Sequence, residues 1–107
     1  MTKQRFEALV EETLARCKAV LGIKEGEYAR GDRLHIFKQA AHLMQVRPID
    51  ALAGMMAKHT VSVYDMIADG RDHPNEVWRE KITDSINYLL LLTAILEEKE
   101  GADNDKR

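Results

Sequence analysis

Four stretches of this sequence repeat their large apolar residues every three or four positions, and this period is the feature that most constrains the fold. Such spacing places apolar side chains on one stripe of an α-helix. Only two prolines and six glycines occur in 107 residues, which argues against many short strands joined by tight turns. The pattern therefore predicts an all-α protein, a four-helix bundle with short connections between its helices.

Glycines, prolines and capping residues predict where the helices begin and end. Gly22 suits the C-terminal stop of the first helix, Asp32 the N-cap of the second, and Pro48 the first turn of the third. We expect one helical domain over residues 1–100 and a flexible polar tail over 101–107. The expected helices span about 3–21, 32–45, 48–69 and 74–98.

The first and fourth helices each carry an apolar stripe, and the C-terminal half of the fourth helix predicts self-association. Past Tyr88 the fourth helix is apolar nearly all round, as is typical of a central or interface helix. A chain of this size has a modest core, so some of these residues need a second chain. We expect a homo-oligomer, most simply a dimer, formed through the C-terminal half of the fourth helix. The two stripes consist of Phe6, Leu9, Val10, Leu14, Cys17, Val20 and Leu21, and of Trp78, Ile82, Ile86, Leu89, Leu90, Thr93 and Leu96.

Composition limits the partners of the chain. Sixteen basic and eighteen acidic residues leave a net charge of -2, which gives no general attraction to nucleic acid or to an anionic membrane. Cys17 is the only cysteine, which excludes an internal disulfide and a cysteine-based zinc cluster. The longest apolar run, Leu89–Leu92, is far too short to span a bilayer, and the N-terminus is too charged for a signal peptide. We expect a cytoplasmic protein that binds neither membranes nor nucleic acid directly.

The fourth helix carries a row of acidic residues at intervals of four. Glu76, Glu80 and Asp84 share one stripe, and Asn87 continues it. Apolar residues of the C-terminal half of the helix lie in the direction of Asp84, which places the row at the edge of a buried surface. Unpaired charge is costly there, and a metal ion, a basic side chain or a ligand would remove the cost. A solvated helix face is the alternative interpretation.

Two further segments could hold functional residues, each with an ordinary alternative. Lys58, Ser62 and Asp65 share one face of the third helix, which is either a pocket wall or a solvent face. Gly54 lies one turn earlier, and a glycine inside a helix is often accepted where a backbone or a ligand approaches closely. The connector 23–31 contains acidic residues, an aromatic and an arginine, so it could contact a metal or a phosphate, or be a plain loop.

Several familiar catalytic patterns are missing from the sequence. It contains no HExxH motif, no Cys/His cluster, no nucleophile elbow and no glycine-rich phosphate-binding signature. The histidines His35, His42 and His59 receive no role from their spacing.

Three segments of the chain resemble a known group of proteins: EYARGDRLHIFKQAA, AGMMAKHTVSVYDMI and VWREKITDSINYLLLL. They are similar to small phage-encoded helical proteins that look like relatives of the all-α nucleoside triphosphate pyrophosphatases, the MazG-like and dimeric dUTPase-like superfamily. They also resemble phage domains associated with nucleotide modification. The resemblance covers roughly residues 25–92, and KHTVSVYDM and EKITDSINYLLLL are its most specific parts. It implies a Mg²⁺-dependent hydrolase that converts a nucleoside triphosphate to a monophosphate and pyrophosphate, in the host cytoplasm.

Carried onto this chain, the resemblance implies a set of metal ligands. Glu80 and Asp84 would hold Mg²⁺ and act in catalysis, and Asp65 of the preceding helix would be a further ligand or orienter. The chain departs from the superfamily pattern in two places: its first helix lacks two glutamates three positions apart, and Glu80 and Asp84 are four rather than three apart. Glu27 or Asp32 would replace the missing ligands.

The resemblance also implies which residues bind the nucleotide. Lys58 would contact a phosphate, Asn87 and Tyr88 match the polar and aromatic pair beside the nucleoside, and Arg30 would bind a phosphate from the connector. The departures from the family pattern leave two alternatives open. One is a non-catalytic phage protein that binds or sequesters a nucleotide, and the other is a structural helical oligomer.

Overall fold

The computed structural model describes residues 1–22 and 31–105, with side chains described as far as Gly101. Within these ranges the chain forms helices and no strand, which confirms the all-α, four-helix prediction. The helices are α1 (Lys3–Leu21), α2 (His35–Met44), α3 (Pro48–Ala68) and α4 (Asn75–Asp105).

The predicted ends of α1 and α3 are confirmed, and each end has a local cause. Gly22 closes α1 in the left-handed conformation, with φ of 73°. At the other end of α1, the Thr2 hydroxyl accepts a hydrogen bond from the backbone N–H of Arg5 at 3.0 Å. Pro48 occupies the first turn of α3, where the Asp50 carboxylate accepts a hydrogen bond from the backbone N–H of Arg47 at 3.1 Å.

Two helix ends differ from the prediction. Asp32 is not the N-cap of α2, because its carboxylate accepts from the backbone N–H of Leu34 at 2.9 Å and so closes the turn before the helix. The helix itself begins at His35. At the other end of the chain, α4 continues past the expected end near Glu98 to Asp105. Residues 97–100 are good helix formers, and Gly101 keeps a helical conformation instead of the left-handed one that would stop the helix.

The helices pack in the spatial order α2, α3, α4, α1. α3 packs against both α2 and α4, whereas α1 packs against α4 alone among the described helices. The buried apolar cluster lies between α2, α3 and α4, and the Phe37 and Tyr88 rings meet edge to face at 6.5 Å beside it. The fully buried members of this cluster are Leu34, Phe37, Leu52 and Ile95.

The stripes expected to be apolar on α1 and α4 are largely uncovered in the single chain. On α1 only Cys17 is buried, and on α4 the buried residues are Thr83, Asn87 and Ile95 rather than members of the predicted stripe. Ile86 joins the two exposed stripes, because it lines a shallow groove together with apolar side chains of α1. We call this surface the apolar face: Phe6, Val10 and Leu14 of α1 with Ile82, Leu89, Leu90 and Leu96 of α4.

None of the helices in the described ranges is long and apolar enough to cross a membrane.

Candidate functional site

The acidic row of α4 forms one wall of a groove between α1 and α4. This cavity has a volume of about 350 Å³. We call it the α1–α4 groove, and its polar lining consists of Arg16 from α1 with Glu76, Arg79, Glu80, Thr83 and Asp84 from α4. The carboxylates of this lining were predicted as site residues from the sequence, whereas the two arginines were not. Arg16 could have been found from its place beside Cys17, which lies on the predicted apolar stripe of the first helix.

The charged groups of the α1–α4 groove do not neutralise one another. Glu76, Glu80, Arg16 and Arg79 line the same groove, yet none of them forms an ion pair with another group in the described part of the chain. Elsewhere on the surface the same residue types do pair, as Arg5 does with Glu12 at 3.3 Å. The lining of the groove therefore includes charged side chains of both signs that are not paired with one another.

Asp84 connects the groove to the seam between α3 and α4. Its carboxylate lies 3.6 Å from Nδ1 of His59 on α3, and the two side chains are 28% and 19% exposed. The His59 ring in turn lies against Tyr88, with ring centroids 4.9 Å apart. His59 is a site residue that its spacing in the sequence did not reveal by itself, although it falls three positions after Met56, which packs against the buried cluster.

Buried polar groups without partners accumulate where α1 meets α4. The Asn87 side chain, 5% exposed, donates from Nδ2 to the Cys17 carbonyl at 3.3 Å, while its Oδ1 has no partner. Thr83 is 3% exposed and forms no side-chain hydrogen bond with the described residues, although it lines the groove. Arg16 Nε is also buried without an acceptor. Natural proteins leave few buried polar groups unsatisfied, so this concentration marks the α1–α4 groove as a candidate site.

The structure brings some of the predicted site residues together and leaves others apart. Glu80 and Asp84 lie one turn apart in the groove, as predicted. Lys58 and Asp65 are exposed on α3, line no part of the groove and make no hydrogen bond or ion pair with described residues. Asn87 is buried against α1, and Tyr88 is half-buried in the seam with His59. Glu27 and Arg30, which were also predicted as site residues, lie outside the described residues.

The fit of a divalent metal rests on two carboxylates. Within residues 1–22 and 31–101, no three or more His, Cys, Asp or Glu side chains are grouped so that they could hold a metal ion. Glu80 and Asp84 nevertheless offer oxygen ligands from consecutive turns of one helix. Mg²⁺ in nucleotide sites is commonly bound by one or two carboxylates together with waters and substrate phosphates. The pair fits that mode of binding and does not form a complete protein cage.

A second cavity of similar volume, about 350 Å³, lies at the opposite end of α4 beside Leu34, Pro48 and Ile95. Most of the charged side chains at its rim already form ion pairs. Lys38 bridges the carboxylates of Asp32 and Glu98, and Arg47 is held by Asp50 at 2.8 Å. This cavity therefore has less need of a charged ligand than the α1–α4 groove.

Cys17 is buried between the two helices that form the groove. Burial raises the pKa of the Cys17 thiol, and the neighbouring Arg16 offsets this only in part. The thiol therefore stays protonated at neutral pH.

Comparison with protein-family models, with curated proteins and with solved structures finds no match to this chain. The likeness to all-α nucleoside triphosphate pyrophosphatases therefore rests on the sequence segments quoted above.

Proposed function

We propose that this protein is a MazG-like, Mg²⁺-dependent nucleoside triphosphate pyrophosphohydrolase of phage nucleotide metabolism, acting in the host cytoplasm. The observation that carries the proposal is the α1–α4 groove, where two carboxylates, Glu76 and Glu80, and two guanidiniums form no ion pair with the described residues. A magnesium-bound triphosphate carries both complementary signs, since the metal prefers carboxylate oxygens and the phosphates prefer guanidinium donors.

The residues of the groove divide into two roles under this proposal. Glu80 and Asp84 would hold the Mg²⁺, which supplies charge neutralisation and a more acidic bound water. His59 lies 3.6 Å from the Asp84 carboxylate, on the side of the seam. In the reaction a water oxygen bonds to the α-phosphorus, and the bond from that phosphorus to the oxygen bridging to the β-phosphate breaks. The products are a nucleoside monophosphate and pyrophosphate.

The substrate-binding roles implied by the resemblance remain part of the proposal. Tyr88 offers a half-buried ring beside His59, where a base or a sugar could pack. Lys58 precedes His59 on α3 and would reach a phosphate from the solvent side. Asp65 would be a further metal ligand or orienter from a later turn of α3. Asn87 would contact the nucleoside from its buried position against α1.

The test is release of pyrophosphate from a panel of common and modified nucleoside triphosphates, with and without Mg²⁺. Asp84→Asn removes the charge but keeps the shape of the side chain, so we expect it to abolish turnover. Asp72→Asn is the matched control, because Asp72 is exposed and lies outside the groove. If folded protein with Mg²⁺ turns over none of the panel, the proposed activity is wrong.

A second candidate is a non-catalytic protein that binds or sequesters a nucleotide. The finding that favours it is the lack of a three-ligand metal group within the described residues. This candidate predicts stoichiometric binding and recovery of the nucleotide intact after the complex is denatured. Recovery of a monophosphate and pyrophosphate would contradict it and support the hydrolase.

We also propose that the protein is a homodimer that pairs through the apolar face. Leu89 and Leu90 are 54% and 46% exposed, and Phe6 is 59% exposed on the neighbouring helix. A contiguous apolar surface of this kind is uncommon on a monomer and marks an interaction site. A purely structural oligomer would use the same face, but in that case Glu80 and Asp84 would tolerate alanine with no loss except in stability.

A further inference from the structure

We propose that Arg16 and Thr83 form an oxyanion subsite at the α1–α4 groove, which binds a phosphate group without a metal. Arg16 is the only cation that α1 contributes to the described lining of the groove. Neither residue was assigned a role by the sequence. The inference rests on the proposed function only in taking the groove as the ligand site, and it does not require hydrolysis.

The Arg16 guanidinium is held in place but is short of acceptors. Its Nη2 donates to the Thr13 hydroxyl at 3.1 Å, and that hydroxyl donates to the Leu9 carbonyl at 2.7 Å. Its Nε is buried without an acceptor, and no carboxylate of the described chain forms an ion pair with it. A guanidinium has five N–H donors, and only one of them makes a hydrogen bond with a described residue. An anion in the groove would supply the missing acceptors.

Thr83 is an independent observation on the opposite wall. Thr83 is 3% exposed and lines the groove. Its side chain makes no hydrogen bond with the described residues. Three other hydroxyls in the described helices, those of Thr13, Ser85 and Thr93, donate to the carbonyl one turn earlier, as Ser85 does to Lys81 at 2.9 Å. The Thr83 hydroxyl is therefore free to donate to a ligand. The Thr83 hydroxyl and the Arg16 guanidinium both lack acceptors among the described residues and line the same groove, so they suit a group that accepts several hydrogen bonds.

A phosphate group matches these donors better than a carboxylate does. Its three terminal oxygens point in different directions, so they can accept from α1 and from α4 at the same time. Arginine recognises phosphate through two parallel N–H bonds, which fixes the orientation of the group as well as its charge. The chemistry is shared by inorganic phosphate, pyrophosphate and the phosphates of a nucleotide, and pyrophosphate is the simplest probe that separates this subsite from base recognition.

The test is a titration of the full chain with pyrophosphate in the presence of EDTA, followed by calorimetry and by amide chemical shifts. We expect binding, with shifts near Arg16 and Thr83. Arg16→Gln is expected to weaken it about tenfold to a hundredfold, because it removes charge-assisted hydrogen bonds. Arg5→Gln is the matched control: it removes the same charge from the same helix, at an exposed residue already paired with Glu12.

Thr83→Val provides a second variant of nearly equal shape, which guards against loss of folding in Arg16→Gln. We expect it to weaken pyrophosphate binding about threefold to tenfold, with an unchanged circular dichroism spectrum. Failure of pyrophosphate to bind the unmodified protein, or equal binding by Arg16→Gln and Arg5→Gln, would overturn the subsite. Binding that depends on Arg16 without hydrolysis of any triphosphate would support the subsite and reject the hydrolase. Hydrolysis with unaltered kinetics in Arg16→Gln would support the hydrolase and reject the subsite.

Discussion

Replacing Asn87 by leucine should stabilise this protein, although Asn87 is buried and hydrogen-bonded. The side chain is 5% exposed, and its Nδ2 donates to the Cys17 carbonyl while its Oδ1 has no partner. Loss of one neutral hydrogen bond costs about 1 kcal/mol, whereas an unsatisfied buried acceptor costs about 1–3 kcal/mol. The Cys17 carbonyl lies inside α1 and keeps its helical N–H donor. Leucine branches at the same carbon as asparagine, so loss of the unsatisfied acceptor favours Asn87→Leu by up to about 2 kcal/mol.

The assay is urea and thermal unfolding of Asn87→Leu at one fixed protein concentration, because the melting temperature of an oligomer depends on concentration. A gain of 1 kcal/mol corresponds to about 4–8 °C for a domain of this size. Asn87→Ala is the control: it removes the same polar atoms but leaves a cavity, so it should unfold well below the leucine variant. A loss of more than about 1 kcal/mol in Asn87→Leu would refute the reasoning, because it would require Oδ1 to have a partner such as a buried water.

Three other changes test separate parts of the structure. Leu90→Glu places a charge on the apolar face and should yield a monomer with unchanged helicity, measured by light scattering and circular dichroism. Gly54→Ala should raise the free energy of unfolding by about 1 kcal/mol, because a Cβ at Gly54 meets nothing within 4 Å. Acid should unfold the protein in part through Asp32, Asp50 and Asp69. Hydrogen bonds from the side chains of Lys38 and Arg47 and from the backbone N–H of Arg71, respectively, lower the pKa of these carboxyls. Their stabilisation is present above the unfolded value of about 3.9 and is lost as the pH falls through their lower folded values.

Each of these experiments has a result that would count against it. A dimeric Leu90→Glu variant would move the interface away from the apolar face. A destabilised Gly54→Ala variant would indicate that a second chain or a ligand approaches Gly54 closely, as the sequence first suggested. For the acid transition, Asp50→Asn should flatten the fall in stability below about pH 4, and an unchanged slope would remove Asp50 from the explanation.

The helices were predictable from the sequence because their signals are local. Gly22 and Pro48 act on the backbone of their own turn, so the ends of α1 and α3 follow from residue type alone. The end of α4 was not predictable in this way, since Gly101 can either stop a helix or continue it.

The candidate site was predictable only in part, because it depends on which helices pack together. The periodic row that contains Glu80 and Asp84 is visible in the sequence, and both residues do line one groove. Arg16 and His59 come from α1 and α3, and their places beside packed residues of those helices do not tell that they meet α4 near Asp84. The periodicity also finds apolar stripes without telling which chain covers them, which is why the stripe of α4 is exposed in the single chain.

The position of α1 at the edge of the structure affects how the protein opens. α2, α3 and α4 share the buried cluster around Leu52, whereas α1 packs against α4 alone among the described helices. Detachment of α1 therefore leaves that cluster intact, and it is a smaller opening than global unfolding. It also removes one wall of the α1–α4 groove, so a ligand bound across the groove must leave before α1 can detach. The amide hydrogens of α1 then exchange with solvent at a rate that the occupancy of the groove controls.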